Sequence, residues 1–344
     1  MRQETIGLIE QGRRKRRFRF RLVTVLLAMA ACILCFAMLM LGNTIYPVSE
    51  VMRALGGESV QGVSFAVNTI RLPRMLAGLF SGFAFGLAGS IFQIMLRNPL
   101  ANPNIIGITS GSSAAAVFSI VVLQASGAVT SAMSVAGGLV TVLVIYILSR
   151  GKRFSGSRLI LIGLGLQAML NAAVSWLLLI SSESNVPSAL RWLSGSLNGS
   201  QMSQLLPIVA ATLLITPVAV LLSQHLSMLE LGEEAALSLG VHTDRTRVTL
   251  ILSAVAMVAI ATATTGPISF VSFLSGPIAK RLVGASGYSH IVPAGIFGAV
   301  MVLAADLFGQ FAFETRFPVG VITGILGAPY LIFLLVKMNR NGEF

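Results

Sequence analysis

Residues 13–41 read Arg-Arg-Lys-Arg-Arg-Phe-Arg-Phe-Arg-Leu-Val-Thr-Val-Leu-Leu-Ala-Met-Ala-Ala-Cys-Ile-Leu-Cys-Phe-Ala-Met-Leu-Met-Leu. A dense basic block gives way to an uncharged apolar run, Leu22 to Leu41. At about 1.5 Å per residue, a helix of that length matches the roughly 30 Å hydrocarbon core of a bilayer. The charged start resembles a signal peptide. The apolar run is too long for a typical signal core, however, and no small-residue cleavage site follows it. It therefore reads as an uncleaved first span, with its basic side in the cytoplasm.

The rest of the chain repeats that apolar character. Of 344 residues, 55% are hydrophobic and only 10% charged, where a soluble domain carries about 25% charged residues. A soluble globule is excluded, and the hydrophobic content allows about nine or ten spans. Further apolar runs fall near 71–96, 105–124, 128–149, 159–180, 205–223, 248–265, 266–279, 291–309 and 318–336. The run at 266–279 is short and is broken by Gly266, Pro267, Gly276 and Pro277. The expected fold is all-α, a polytopic membrane protein with about ten transmembrane helices and both termini cytoplasmic. Under that threading the inner segments hold 19 of the 24 Lys and Arg residues, the asymmetry that sets orientation. The chain divides into a basic cytoplasmic N-terminal tail (1–21), one transmembrane domain (22–336) with a cytoplasmic loop at 224–247, and a cytoplasmic C-terminal tail (337–344). The net charge of +12 is explained by cations beside spans on anionic lipid, without nucleic acid. Cys32 and Cys35 form a C-x-x-C inside the first span, with no further ligands for zinc and no redox context. Gly78-x-x-x-Gly82-x-x-x-Gly86 reads as a close helix-packing seam.

What the sequence lacks bears on mechanism. There is no phosphate-cradling G-x-x-x-x-G-K-[ST], and no catalytic or metal-ligand pattern. His225, His242 and His290 fall in predicted cytoplasmic loops as solvated residues. An ion-coupled carrier places ionisable groups at mid-membrane, yet of 12 acidic residues only Asp306 lies in an apolar run. Asp306 serves either helix packing or the transport path. A path without its own energy source points to an energy-supplying partner, and so to the cytoplasmic loops. Within 224–247, Glu233 to Leu239 reads as a short amphipathic helix stopped by Gly240, with acids at its start and Leu237 on an apolar face. That face either packs under the chain itself or enters a partner's groove.

The motifs Arg71-Leu72-Pro73-Arg74, Gly89-x-x-x-Gln93 and Arg97-Asn98-Pro99-Leu100-Ala101-x-Pro103-x-x-x-Gly107 resemble the FecCD-type permeases. These are membrane subunits of ABC importers for iron–siderophore complexes, haem and cobalamin. The resemblance continues through Leu231-Gly232-Glu233-Glu234-Ala235-Ala236-x-x-Leu239-Gly240, Gly266-Pro267-Ile268-Ser269-Phe270-Val271, Ala305-Asp306, and the run from Pro318 to Pro329. Trp192-x-x-Gly195-Ser196-Leu197-Asn198-Gly199 and Met228-Leu229-Glu230 look closest to the ferric-enterobactin permeases, which work as half of a heterodimer.

The resemblance implies a second, non-identical permease subunit, two ATPase subunits carrying ATP and Mg, and an extracytoplasmic binding protein. No catalytic residue, metal or cofactor is expected on this chain. It also implies roles for single residues. Leu231, Gly232, Glu233, Glu234, Ala235, Ala236, Leu237, Leu239 and Gly240 would couple to the ATPase. Arg71 and Arg74 would meet carboxylates of the binding protein, or else snorkel to headgroups. Asn98 and Leu100, with Ser155, Gly156 and Ser157, would form the inner gate, or else plain turns. The chain departs from the family pattern where Gly276-Pro277 replaces Pro-His and where Gln310 replaces an arginine. The expected function is a bacterial inner-membrane permease for a ferric siderophore. The alternatives are haem or cobalamin as cargo, an ion-coupled carrier, or a structural membrane subunit.

Overall fold

A computed structural model describes residues 2–125, 127–149, 156–230, 238, 243–284 and 289–340. Among these the chain is helical throughout, without a strand. Helix α1 (Arg2–Met40) runs unbroken for 39 residues from the cations into the first span. Its Arg, Lys, Gln and Leu content favours helix, and no proline occurs before Pro47. Helix α2 (Val48–Leu55) follows, and then a π-helical turn (Ala66–Arg71) that leads directly into α3 (Leu72–Met95). A 3-10 turn (Pro103–Ile106) precedes α4 (Ile108–Val121), α5 (Ala128–Ser149), α6 (Gly156–Ile180) and the short α7 (Val186–Leu193). The chain continues with α8 (Met202–Leu221), α9 (Ser223–Glu230), α10 (Thr243–Thr265), α11 (Val271–Val283), α12 (Ile291–Phe311) and α13 (Val319–Arg340).

Eight helices among the described residues are long and apolar enough to cross a membrane. The third and eighth predicted runs become shorter helices, α4 of 14 residues and α11 of 13. The sequence reading broke the eighth run at Gly266, Pro267, Gly276 and Pro277, and the first two hold. Gly276 and Pro277 instead lie inside α11, and the break is the turn Gly266–Phe270 that precedes it. Pro277 has no N–H for the Phe273 carbonyl one turn back. That carbonyl is met by the side chain of Gln93, whose Nε2 donates to it at 2.8 Å. Gly276 leaves the room in which Gln93 lies. The buried Gln93 of α3 thus satisfies a polar group that lipid could not.

Helix α3 sits at the centre, packed against α12, α10, α11 and α8. Two apolar helices gain little hydrophobic energy from meeting in lipid, so close backbone approach has to hold them. A Cβ on Gly82 would stand 2.7 Å from the Gly298 carbonyl oxygen, and one on Gly86 would collide with the Ala294 carbonyl. The glycine seam expected from the sequence is therefore a contact between α3 and α12.

Two basic-residue and histidine readings change. Arg19 donates from Nε to the Leu282 carbonyl at 2.9 Å and from Nη2 to the Arg281 carbonyl at 3.1 Å, closing the end of α11. It is more than a cation facing headgroups. His290, read as solvated, is half-buried at the cap of α12; burial, and then the charge of Lys280, push its pKa down to about 4.

Candidate functional site

At one end of the bundle the chain gathers Arg71 and Arg74. The Arg71 guanidinium donates to the last two carbonyls of α1, Leu39 at 2.9 Å and Met40 at 2.8 Å, and to Thr44 just beyond it at 2.7 Å. It also lies 4.6 Å from the centroid of the Tyr46 ring, a cation–π contact. The π-helical turn that ends at Arg71 sets this side chain toward α1.

Arg74, one turn on, is bidentate to Asp306 of α12. Nε and Nη2 each stand 2.9 Å from a carboxylate oxygen. The side chains of Arg74 and Asp306 are 15% and 2% exposed, so the pair works in a low-dielectric setting where its charge-assisted bonds are strong. Gln310 completes it, donating to Asp306 Oδ2 at 2.8 Å. Both arginines expected to face a binding protein therefore have partners inside the chain. The carboxylate that cancels Arg74 is the acidic residue singled out in the sequence. Arg71 has no carboxylate against it among the described residues.

The same end holds a cleft of about 920 Å³ between the α4–α5 turn, α7, the start of α8 and the end of α10. Its walls carry Gln124, Asn185, Asn198, Gln201, Gln204 and Arg191. Among the described residues no carboxylate and no second cation line it. The turn that shapes its floor is held by the Ser196 N–H donating to the Thr265 carbonyl at 2.8 Å. Gly195 and Gly266 face each other there, both at positive φ, and a Cβ on Gly266 would strike the Trp192 carbonyl. None of these wall residues was singled out as a ligand contact from sequence. Their one collective signal was the polar stretch 181–204 between apolar runs.

At the far end the chain leaves α3 through Arg97 (φ 48°) and Asn98. Asn98 Oδ1 accepts from the Leu100 N–H at 2.8 Å, Asn102 Oδ1 accepts from the Asn104 N–H at 3.1 Å, and Asn104 accepts from the Thr109 hydroxyl. The asparagines hold the broken segment as local turns, and Asn98 is exposed. Gly156 and Ser157 form the first turn of α6, while Ser155 lies outside the described residues. Of the coupling segment only Ser238 is described, in helix; Leu231, Gly232, Glu233, Glu234, Ala235, Ala236, Leu237, Leu239 and Gly240 lie outside the described residues. Among the described residues no three His, Cys, Asp or Glu side chains gather as metal ligands.

This arrangement has known counterparts. The ferric enterobactin transport system permease protein FepG of Escherichia coli K12 is 36% identical over 93% of this chain and 97% of its own. The permease protein FepD of the same system and organism is 34% identical over 88% of this chain and 92% of its own. A solved structure described as an inward-facing conformation of a metal-chelate type ABC transporter superposes with a TM-score of 0.81 at 29% identity, covering 92% of this chain and 99% of that one. The family model of the FecCD transport family matches residues 27–337, and with that match the chain belongs to the FecCD transport family.

Proposed function

We propose that the chain is the permease subunit of an ATP-driven importer of a ferric siderophore, in which it builds one wall of the path and performs no covalent chemistry. The observation that carries the reading is a polar stripe on α6. Gln167, Asn171 and Ser175 recur at every fourth residue on one face of an apolar span, and Asn171 and Ser175 are exposed. The Ser175 hydroxyl donates to the Asn171 carbonyl at 3.0 Å, but the carboxamides of Gln167 and Asn171 at mid-membrane call for a water-filled path or another subunit rather than lipid. That face is where a second permease and the path between the two would lie.

The second subunit is non-identical in this reading. FepG and FepD carry one transport system's name as two proteins, and Gln310 stands here where the family pattern has an arginine. Two ATPase subunits, which hold ATP and Mg, would seat the segment Leu231–Gly240. Asn98, Leu100 and the turn 155–157 would close the inner side. The binding protein would dock on the end that holds Arg71 and Arg74. Because Asp306 neutralises Arg74, Arg71 supplies most of the attraction. Both termini are cytoplasmic, and the host membrane is the bacterial inner membrane.

The test is uptake of radiolabelled ferric siderophore by liposomes that hold the full assembly. Uptake should require ATP inside and persist with an ionophore. Joint replacement of Glu233, Glu234 and Leu237 should abolish uptake and reduce co-purification of the ATPase. Uptake that collapses with the ionophore and ignores nucleotide would overturn the reading. Competition by haem or cobalamin in place of the siderophore would reassign the cargo.

A further inference from the structure

The cleft beneath the α4–α5 turn is not part of the α6 face, and its wall chemistry is selective. Five carboxamides (Gln124, Asn185, Asn198, Gln201 and Gln204) line it without a side-chain hydrogen bond among the described residues. Each offers two N–H donors and an acceptor oxygen. Neighbouring hydroxyls are already committed to the backbone: Ser131 to the Ala263 carbonyl at 3.0 Å, Ser200 to the Leu197 carbonyl at 2.9 Å, and Thr264 to the Ile260 carbonyl at 2.8 Å. The free donors include the amides, the Ser188 and Ser203 hydroxyls, the Trp192 indole N–H and Arg191, whose guanidinium has no ion-pair partner among the described residues. With one cation and no carboxylate among the described residues that line it, the wall favours an oxygen-rich anion. Its volume of about 920 Å³ falls in the range of small-molecule sites, roughly 300–1,000 Å³. The half-buried Trp192 adds an aromatic face. The backbone contacts between Gly195 and Gly266 fix the backbone of this wall, and the cost of binding falls on ordering the unbonded amide and Arg191 side chains.

We propose that this cleft is a receiving site for an anionic, oxygen-rich metal chelate, held by Arg191 and the surrounding carboxamides before the chelate enters the path. The inference rests on the transport reading and deepens it by adding a contact on the permease itself that selects by charge. Arg191 offers bidentate donation to carboxylate or catecholate oxygens, and the amides complete the ring of donors.

The experiment uses the complete transporter in nanodiscs without its binding protein, with equilibrium dialysis as the readout. The probes are an iron(III) tris-catecholate, which is trianionic, and an iron(III) tris-hydroxamate, which is neutral. The tris-catecholate should bind, and Arg191→Gln should weaken it about tenfold, as expected for loss of a charge-assisted hydrogen bond. Arg191→Lys should restore part of the affinity. Ser188→Trp, on the exposed wall of α7, should remove binding by filling the cleft. The neutral probe should bind more weakly and ignore Arg191→Gln. Equal binding of both probes, or tris-catecholate binding unchanged in Arg191→Gln and Ser188→Trp, would overturn the proposal. The same variants are then assayed for ATP-driven uptake with the binding protein present. Uptake that persists beside unchanged dialysis defeats the cleft alone, whereas absence of ATP-driven uptake in the unmodified transporter defeats the transport reading.

Discussion

Arg74 and Asp306 are 232 positions apart in sequence and form two parallel bonds across α3 and α12. Breaking one half of such a pair leaves an uncompensated charge in a poorly solvated place, at a cost of about 3–5 kcal/mol. Replacing both halves with apolar residues removes the charge and its desolvation together. Asp306→Asn should therefore lower the thermal unfolding midpoint in detergent more than the double variant Arg74→Met with Asp306→Leu. A double variant at least as destabilised as the single one would show that the pair's attraction exceeds its desolvation cost. The sequence marked Asp306 as out of place in an apolar run, and it marked Arg74 as part of a motif. It could not join them, because a pairing is set by how helices cross and not by local pattern. Gln93 is similar. Its motif was legible, while its task, the carbonyl left open by Pro277, depends on a helix 180 positions later.

At the scale of the helix, apolar runs were the most legible feature. The run predicted at 128–149 is the helix Ala128–Ser149, and the run predicted at 291–309 became Ile291–Phe311. Hydropathy failed where backbone chemistry overrides it. Gly266 and Phe270, at φ 72° and 64°, end one helix and delay the next, and Pro103 with Gly107 shortens α4. Hydropathy also hid the helical N-terminus, since cations end an apolar run without ending a helix. The small-residue seam was legible as a pattern, but its partner was not. Now that α12 is known as that partner, the seam is testable from both sides. Gly86→Ala would press on the Ala294 carbonyl and Gly298→Ala on the Gly82 carbonyl. Backbone cannot rotate aside as a side chain can, so each should cost about 1–3 kcal/mol through overpacking. Thermal unfolding of the two single variants in detergent checks this. Midpoints equal to the parent's would mean that the two helices separate freely and that the seam carries no tight contact.

For the whole molecule the open quantity is how many times the chain crosses, because α4 and α11 are shorter than the roughly 20 residues a straight span needs. The contacts sort the helix ends into two groups. Arg316 bonds Asn43, the Gly320 N–H donates to the Gly195 carbonyl at 3.1 Å, and the Ser131 hydroxyl donates to the Ala263 carbonyl at 3.0 Å. These join the end of α1, the loop after α7, the end of α10 and the start of α5. At the opposite end Arg19 caps α11, and Gly107 lies against Ile145 and Gly163, close to where α5 ends and α6 begins. Helix α4 thus starts in one group and finishes beside the other, and α11 does so in reverse. Irregular backbone at their starts is tolerable in a membrane because it is covered by protein rather than lipid. This supports ten crossings with both termini on one side. Eight crossings would put residues 150–158, with four cations, on the outer face, against the positive-inside rule. The two topologies differ at single residues. With Cys32 and Cys35 replaced by alanine, Glu58→Cys and Glu183→Cys should react with a membrane-impermeant maleimide from outside. Ser149→Cys and Lys337→Cys should react only after permeabilisation. An exchange in which Ser149→Cys labels from outside and Glu183→Cys does not would mean that α4 turns back within the membrane, and that the cleft around Arg191 opens to the cytoplasm.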